Sequence, residues 1–340
     1  MQNEKTKEIR YFSMFTGVGG FELGLERANS ISRTQKGKIQ TKDEGIMSNI
    51  SEQDGNGRKQ HTLYKCVGFS EIDKYSNELL KNKFPGIKNY GDATKIIPSE
   101  LPDFDMLCGG FPCQAFSIAG KRRGFKDTRG TLFFDIARIL KVKRPKIVFL
   151  ENVKGLLNHE AGKTFRIILQ TLSELGYNIQ WMVLNSKFFG VPQNRERVFI
   201  IGSLRGEPRP EILPFGEICK NNYEESGRQI SSTITSTYCK GWGGGRTAIQ
   251  QLNNPTHSNN RLYSEEGISP TLNTAQGGNR QPKIPDRMKI RRLTPIECER
   301  LQGFPDNWTE GFSDTQRYKM MGNAVTVNVI QAIGERLYQV

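Results

Sequence analysis

Strand-like and helix-like segments alternate along the first two thirds of the chain, and this alternation constrains the fold more than any other feature. Apolar runs of strand length are separated by stretches with helical periodicity. Strands are predicted over 9–15, 64–72, 104–108, 146–150, 179–185 and 198–204, and helices over 20–28, 73–83, 131–141 and 163–175. The pattern predicts an α/β fold with a Rossmann-like, doubly wound sheet that is mostly parallel.

Two departures from this alternation predict the domain organisation. Residues 31–62 are rich in Lys, Gln, Ser, Asn, Asp and Gly, so we expect a long mobile surface loop there. Between 205 and 287 helical periodicity disappears and Gly, Ser, Thr, Asn and Pro dominate, which predicts a second, smaller, strand- and loop-rich domain. The predicted domains are 1–204 together with 288–340, and 205–287.

Regular structure is expected to return near the C-terminus. The run Thr294-Pro295-Ile296-Glu297 has the pattern of a capping box with proline at the first helical position, so a helix is predicted to begin there. Gly303 is the expected end of that helix, and a last helix is predicted over 324–338.

The net charge favours a polyanionic partner. Lysine and arginine number 49 against 35 aspartates and glutamates, which gives a formal net charge of +14 at pH 7. Residues 205–287 hold ten basic and eight acidic side chains, a balance of +2, so most of the excess lies elsewhere. Such a chain most simply binds nucleic acid, although a soluble protein with a basic surface has the same composition.

Composition also disfavours several classes of protein. No stretch approaches the roughly 18 apolar residues of a membrane helix, and residues 1–10 lack the apolar segment of a secretory signal. The six cysteines contain no C-x-x-C pair, and the three histidines do not cluster. We therefore expect an intracellular, cytoplasmic protein with no membrane contact, no disulfide framework and no metal.

A glycine-rich turn follows the first predicted strand, with the residues Phe15, Thr16, Gly17, Val18, Gly19 and Gly20. Glycines let a backbone turn tightly beside a ligand, but Glu22 stands where a dinucleotide-binding turn has its third glycine. Glu71 at the end of the second strand is a candidate acceptor for ribose hydroxyls, and Asp92 follows soon after. A solvated turn or a helix cap is the alternative for each acid.

Cys113 lies just past the third predicted strand, in the run Phe111-Pro112-Cys113-Gln114. Open α/β sheets bind ligands at that edge, and a thiolate is a strong nucleophile, although a small buried cysteine is the alternative. Residues 120–130 then carry five basic side chains and three glycines. That composition fits a flexible loop that closes over a phosphate backbone, or a solvated charge run.

Glu151 and two arginines follow later strands. Glu151 begins the run Glu151-Asn152-Val153, and the arginines belong to Gln193-Asn194-Arg195-Glu196-Arg197. The glutamate could act as a general acid, and Arg195 and Arg197 could bind anions or carbonyl oxygens. Neither signal is specific alone.

In their order along the chain, these residues resemble the DNA (cytosine-5)-methyltransferase family, in particular its bacterial and phage restriction–modification type. The matching motifs are the glycine turn, Glu71 and Asp92, Phe111-Pro-Cys-Gln, Glu151-Asn-Val, Gln193-x-Arg-x-Arg and Gly322-Asn323. The resemblance covers nearly the whole chain outside 31–62 and much of 205–260, and it implies S-adenosylmethionine as methyl donor and S-adenosylhomocysteine as product. The implied cofactor-binding residues are Phe15, Thr16, Gly17, Val18, Gly19, Gly20, Glu71, Ile72, Asp92, Ala93, Pro112, Leu132, Asn323 and Ala324.

The resemblance further implies covalent catalysis. The Cys113 thiolate would add to C6 of cytosine, protonated Glu151 would face N3, and Arg197 would hold O2 with support from Arg195. The activated C5 would take the methyl group, and loss of the C5 proton with elimination of the thiolate would release the enzyme. Because a thiolate cannot reach a stacked base, the cytosine would be flipped out of the duplex.

The implied partner is double-stranded DNA that contains a short specific site, and a cognate restriction endonuclease could act on the same site. Residues 205–287 would form the target-recognition domain, and the protein is expected to act as a monomer. The implied DNA-binding residues are Gln114, Ser117, Arg129, Arg261 and Thr271.

Three alternatives remain open at this stage. The tRNA-modifying branch of the same family shares the catalytic residues but generally lacks so large a recognition domain. A non-catalytic DNA-binding homologue requires a lost catalytic residue, whereas Cys113, Glu151 and Arg197 are all present. A nicotinamide-dependent oxidoreductase would share the Rossmann-like pattern. Its dinucleotide-binding turn would have a third glycine, however, and this chain lacks that glycine.

Overall fold

The structure, a computed structural model, describes residues 6–34, 61–112, 132–208, 212, 251–253, 255, 260–264, 266–274, 281–286 and 289–337. Within them, six longer strands form the central sheet and four short ones form two small pairs. The strands are β1 (Thr6–Met14), β2 (His61–Ser70), β3 (Met106–Gly110), β4 (Ile147–Val153), β5 (Tyr177–Asn185), β6 (Gln193–Asn194), β7 (Glu196–Leu204), β8 (Ser269–Pro270), β9 (Lys283–Asp286) and β10 (Lys289–Arg292).

The central sheet has the strand order β2-β1-β3-β4-β7-β5. Strands β1 to β4 pair in parallel, and β7 runs antiparallel between β4 and β5. The prediction of a doubly wound, mostly parallel α/β sheet is therefore confirmed. The strand order reverses between β1 and β3, and ligands of such sheets bind at that crevice, beyond the carboxyl ends of the strands.

Six of the seven helices in the described part of the chain were predicted, five of them to within three residues at each end, whereas the first continues six residues beyond its predicted end. The helix Asp314–Asn323 was not predicted, because its buried residues cluster near its end rather than being spaced along one face. The last helix begins three residues later than predicted, since Ala324 has an extended backbone. The helices are α1 (Gly20–Thr34), α2 (Lys74–Lys83), α3 (Leu132–Lys143), α4 (Lys163–Glu174), α5 (Pro295–Leu301), α6 (Asp314–Asn323) and α7 (Val327–Leu337).

The two faces of the sheet are covered by different helices. Alternate residues of β1 show this, since Phe12 packs in the core beneath α3 and α4, and Tyr11 in the core beneath α1 and α7. Helices α1 and α7 approach closely at Gly24, where a β-carbon would lie 2.6 Å from Cβ of Ile330. The C-terminal helix therefore packs on the same layer as the helix that leaves the glycine turn.

The predicted capping box at the start of α5 is present. The Thr294 hydroxyl accepts from the backbone amide of Glu297 at 3.3 Å, and the Glu297 carboxylate accepts from the amide of Thr294 at 2.6 Å. The helix ends at Leu301, just before Gly303, whose φ of +78° explains the need for glycine there. This cap fixes where helix α5 begins.

The two segments predicted to be irregular are described only in part. Helix α1 continues to Thr34 and β2 begins at His61, so the ends of the predicted loop 31–62 are regular structure. Within 205–287, β8 pairs in parallel with β6, and Tyr263 bridges to Gln251. Among the residues that the structure describes, no helix has both the length and the apolar character needed to cross a bilayer.

Candidate active site

A cavity of about 360 Å³ opens at the carboxyl ends of the parallel strands. Each of these strands contributes one wall of the cavity at its carboxyl end. The lining residues at these ends are Phe15 after β1, Glu71 after β2, Phe111 after β3 and Val153 at the end of β4. The remaining walls come from Arg195 and Arg197 before and within β7, and from Lys319, Met320, Gly322 and Asn323 of α6. The lining therefore comes from six separate stretches of the sequence, and several of the predicted motifs meet here.

The glycine turn divides into a part that faces the cavity and a part that packs away from it. Gly17 has φ of +59°, and a β-carbon there would meet no atom within 4 Å. At Gly19 a β-carbon would lie 2.5 Å from Phe84, and at Gly20 it would lie 2.6 Å from Val325. Gly17 thus leaves open space for a ligand, whereas Gly19 and Gly20 permit close packing of the turn. Buried Thr16 bonds to Ser13 at 3.1 Å.

Glu71 anchors the turn from the next strand. One carboxylate oxygen accepts from the amide of Gly17 at 2.7 Å, and the other accepts from the amides of Ile72 at 2.8 Å and Asp73 at 2.7 Å. Burial raises the pKa of Glu71, and these amide hydrogen bonds offset part of that rise. Beside it the Ile72 side chain is 72% exposed, an apolar surface that a planar ring could cover.

Eight of the implied cofactor residues, all of them described, do not line the cavity: Thr16, Gly19, Gly20, Ile72, Asp92, Ala93, Leu132 and Ala324. Asp92 is half-buried, and its carboxylate caps a short turn by accepting from the amide of Thr94 at 3.0 Å. Hydrogen bonds from Thr94 lower the pKa of Asp92. Ala93 is buried behind it, and Leu132 is half-buried at the first position of α3.

Glu151 and Arg197 form an ion pair in the cavity wall. Nε of Arg197 lies 3.1 Å from Oε1 of Glu151, and the two side chains are only 13% and 12% exposed. Burial raises the pKa of Glu151, while the positive charges of Arg197 and Arg195 lower it, and burial dominates. The Nη2 group of Arg197 has no hydrogen-bond partner in the described part of the chain, so it can donate to an entering ligand.

Phe111, two residues before Cys113 in the sequence, is held from the neighbouring strand. The side-chain amide of Asn152 donates to the carbonyl oxygen of Phe111 at 2.8 Å. Pro112 lines the cavity directly after it. Cys113 itself lies outside the described residues, as do Gln114, Ser117 and Arg129.

Arg195 is fully buried and binds backbone carbonyls rather than a second carboxylate. It donates to the carbonyl oxygens of Leu272 at 3.2 Å, Gly322 at 3.0 Å and Ala324 at 2.7 Å. Burial lowers its pKa to about 9, which still leaves it cationic near neutral pH. Its contacts join β6 and β7 to two distant segments.

The two implied contacts of the recognition domain are both on the surface. Arg261 is exposed, and Thr271 is exposed with its hydroxyl donating to the carbonyl oxygen of Asn194 at 2.6 Å. Thr271 therefore lies next to the arginine-bearing strand, whereas Arg261 does not line the cavity.

The sequence interpretation missed a pair of charges at the cavity. Nζ of Lys319 lies 2.8 Å from Asp73, whose side chain also caps helix α2. Burial raises the pKa of Asp73, but hydrogen bonds and the charge of Lys319 lower it by a larger amount. The net change in the pKa of Asp73 is therefore downward. The only local signal was the position of Asp73 two residues after Glu71.

Sequence comparison places these motifs in a known family. The family model described as C-5 cytosine-specific DNA methylase matches residues 9–339. The type II methyltransferase M.HhaI of Haemophilus parahaemolyticus is 34% identical over 98% of this chain and 95% of that protein. M.NgoBI of Neisseria gonorrhoeae is 42% identical over 94% of this chain and 90% of that protein.

Solved structures at low sequence identity have the same fold. A DNMT2 mutant from Spodoptera frugiperda superposes with a TM-score of 0.65 at 16% identity, covering 97% of this chain and 99% of that one. The S. pombe Dnmt2 methyltransferase gives a TM-score of 0.63 at 15% identity, covering 98% of each chain. These likenesses concern the fold, and the sequence matches over almost the full length decide the family: this chain belongs to the C-5 cytosine-specific DNA methylases.

Proposed function

We propose that this protein transfers a methyl group from S-adenosylmethionine to C5 of a flipped-out cytosine at a short specific site in double-stranded DNA. The observation that carries this proposal is the buried pair of Glu151 and Arg197. This pair lines the same cavity as Pro112, the residue before Cys113. A carboxyl group with a raised pKa and a guanidinium with a free end suit the N3 and O2 atoms of one cytosine.

The other side of the cavity fits the cofactor. Open space in front of Gly17, the Glu71 carboxylate and the exposed face of Ile72 supply room, a hydroxyl acceptor and an apolar platform. S-adenosylmethionine, when bound, supplies an electrophilic methyl group and leaves as S-adenosylhomocysteine. We assign its contacts to Phe15–Gly20, Glu71, Ile72, Asp92, Ala93, Pro112, Leu132, Asn323 and Ala324.

The residues of the chain activate the cytosine ring. In our assignment, the Cys113 thiolate adds to C6 while protonated Glu151 gives its proton to N3, so that C5 becomes an enamine carbon. Arg197 donates to O2 and keeps the ring in the plane of attack. After C5 has taken the methyl group, its proton leaves, the thiolate is eliminated from C6, and Glu151 recovers the proton from N3.

The DNA contacts are assigned to two regions. Gln114, Ser117 and Arg129 would hold the opened duplex beside Cys113, because flipping a base costs a few kcal/mol that new contacts must offset. Arg261 and Thr271, in the recognition domain 205–287, would contact the target strand. The net charge of +14 supports attraction to the phosphate backbone.

The biological setting that we propose is a restriction–modification system or a phage relative of one. The relatives M.HhaI and M.NgoBI carry the name type II methyltransferase. A cognate endonuclease would cut the same site when it is unmethylated. We further propose that the protein works inside the cell as a monomer, because one chain contributes both catalytic and cofactor walls of the cavity.

The test is methyl transfer from labelled S-adenosylmethionine to unmethylated duplex DNA, followed by mapping of 5-methylcytosine. We expect label confined to one short motif with the wild type and no label with Cys113→Ser. Cys66→Ser is the matched control, because Cys66 lies on β2 away from the cavity lining, and it should retain activity. Label in total tRNA but not in DNA would contradict the proposal, as would full activity of Cys113→Ser.

A further inference from the structure

We propose that Arg195 is a positioning residue that couples DNA binding to cofactor binding. The inference rests on the proposed function and adds a regulation of the same site. It concerns two backbone segments: the recognition segment, residues 269–274, and the cofactor loop, residues 322–324. Occupation of one segment should tighten binding at the other, because a single side chain holds both.

The guanidinium of Arg195 is the physical link between the segments. Its Nη1 donates to Leu272 of the recognition segment at 3.2 Å, and its Nη2 donates to Gly322 at 3.0 Å and Ala324 at 2.7 Å. The two carbonyls of the cofactor loop flank Asn323, which lines the cavity. A guanidinium is planar, so moving one set of carbonyls rotates the donors that serve the other set.

Gln193 ties the recognition segment to the same strand. Its side-chain oxygen accepts from the amide of Leu272 at 3.2 Å, and its side-chain nitrogen donates to Leu301 at 2.8 Å. Strand β8 also pairs with β6, and Thr271 donates to Asn194 at 2.6 Å. The recognition segment therefore moves together with the residues that precede Arg197.

Gly322 brings the two backbones into direct contact. A β-carbon on Gly322 would lie 2.2 Å from the carbonyl oxygen of Asn273 and 2.6 Å from the amide nitrogen of Thr274. Since the obstruction is backbone rather than a flexible side-chain end, the two segments are packed directly against each other here, and neither can move toward the other. Gly322 thus provides a second connection that does not depend on the charge of Arg195.

Coupling of this kind is reciprocal. DNA would stabilise one position of the recognition segment, and in that position Asn323 would be placed to contact the cofactor. Each ligand then raises the affinity of the protein for the other by the same factor. Coupling factors are typically about 5- to 150-fold. A purely structural role for Arg195 would weaken both affinities without changing their ratio.

The experiment measures the Kd of S-adenosylhomocysteine for the full chain, with and without a duplex that carries the site mapped in the methylation assay. The ratio of the two constants is the coupling factor. The variants are Arg195→Lys, which keeps the charge but loses the planar fork, and Gly322→Ala, which forces the two backbones apart. Arg144→Lys is the matched control for Arg195→Lys, because Arg144 also donates to a backbone carbonyl, that of Leu175. Gly202→Ala is the matched control for Gly322→Ala, because a β-carbon at Gly202 would lie 3.4 Å from its nearest neighbours.

We expect tighter binding with DNA in the wild type and both controls, and a coupling factor at least fivefold smaller in Arg195→Lys and Gly322→Ala. A wild-type factor retained in either variant overturns the proposal. Should Arg195→Lys fail to fold, as judged by thermal unfolding, Gly322→Ala decides alone. A wild type that methylates DNA but shows no coupling overturns this inference and leaves the proposed function standing, whereas absence of methyl transfer bears on the proposed function itself.

Discussion

Nε of Arg197 lies 3.1 Å from the Glu151 carboxylate, across the antiparallel pair of strands β4 and β7. The arrangement places one acid and one cation in a nearly dry wall, where the balance between burial and ion pairing sets the protonation of Glu151. Burial prevails and raises the pKa of Glu151. The fraction of protonated acid at neutral pH is therefore larger than for an exposed glutamate, which favours a role as proton donor.

Replacing Glu151 by Gln should lower the methyl-transfer rate by about 100- to 10,000-fold, the usual contribution of a general acid. In the wild type the rate should fall as pH rises through the raised pKa of Glu151, because the acid is then lost. This falling limb should be missing from the pH–rate profile of the Gln variant. An unchanged limb in the variant would contradict the assignment, since another group would then be titrating.

Gly110→Ala should damage the reaction while preserving the fold. A β-carbon at Gly110 would lie 2.9 Å from Oε2 of Glu151, so it displaces the carboxylate and little else. We expect kcat/KM to fall at least about tenfold, since small displacements of a positioned group are costly. At Gly109, by contrast, a β-carbon would lie 2.2 Å from the carbonyl oxygen of Met14.

Gly109→Ala is therefore the comparison, and it should lower thermal stability by about 1–3 kcal/mol, as overpacking of a buried site does. Unfolding temperature and kcat/KM would be measured for both variants. Equal loss of stability in the two variants would mean that the Gly110 effect is not local to Glu151.

The charge pair of Asp73 and Lys319 should contribute to cofactor affinity. It joins the start of α2 to α6 across the cavity at 2.8 Å. Both side chains are about one third exposed, so the pair should contribute only the ~0.2–1 kcal/mol typical of such pairs. We therefore expect KM for S-adenosylmethionine to rise by a factor of about 1.4 to 5 in Lys319→Met or Asp73→Asn. In Asp73→Asn the new side chain can still cap helix α2, so this substitution removes only the negative charge.

The double variant should be no worse than either single one, because both remove the same interaction. Lys81→Met, which removes an exposed lysine elsewhere on α2, is the control for general loss of positive charge. Additive effects of the two substitutions would show that Asp73 and Lys319 act separately.

Local patterns sufficed for most of the fold and for the residues at strand ends. The six central strands and six of the seven helices in the described part of the chain were predicted from apolar runs, periodicity and capping signals. Phe15 and Glu71 were found because they follow strands, and Glu151 because it lies near the end of one. The capping box at Thr294 was also predictable, since both of its hydrogen bonds join residues three apart. These features depend on neighbours in the sequence.

What the sequence could not predict depends on contacts between distant segments. Lys319 meets Asp73 across 246 positions, and no local pattern marks it. Arg195 was interpreted as support for the active site, but it binds three backbone carbonyls. Because every residue has a backbone carbonyl, the sequence gives no indication of which ones Arg195 contacts. The glycine turn was treated as one unit, whereas only Gly17 faces open space, because Phe84 and Val325 occupy the room beside Gly19 and Gly20.

Glu22 carries the last prediction, which concerns stability. It is a fully buried acid on α1, and neither carboxylate oxygen has a partner at hydrogen-bonding geometry among the described residues. Burial raises its pKa to about 7, although the nearby Ser13 hydroxyl offsets part of the effect. In the unfolded chain its pKa would be about 4.3.

Because the folded state holds this proton more tightly, the contribution of Glu22 to stability is complete below pH 4 and is lost as pH rises to about 7. The loss should be on the order of 3 kcal/mol. Glu22→Gln removes the titration, so its free energy of unfolding should depend less on pH between 5 and 8 than that of the wild type. Urea unfolding at several pH values measures this difference, with Glu26→Gln, an exposed acid on the same helix, as control. Parallel pH profiles for wild type and Glu22→Gln would mean that Glu22 is ionised in the folded protein, with a partner that compensates its charge.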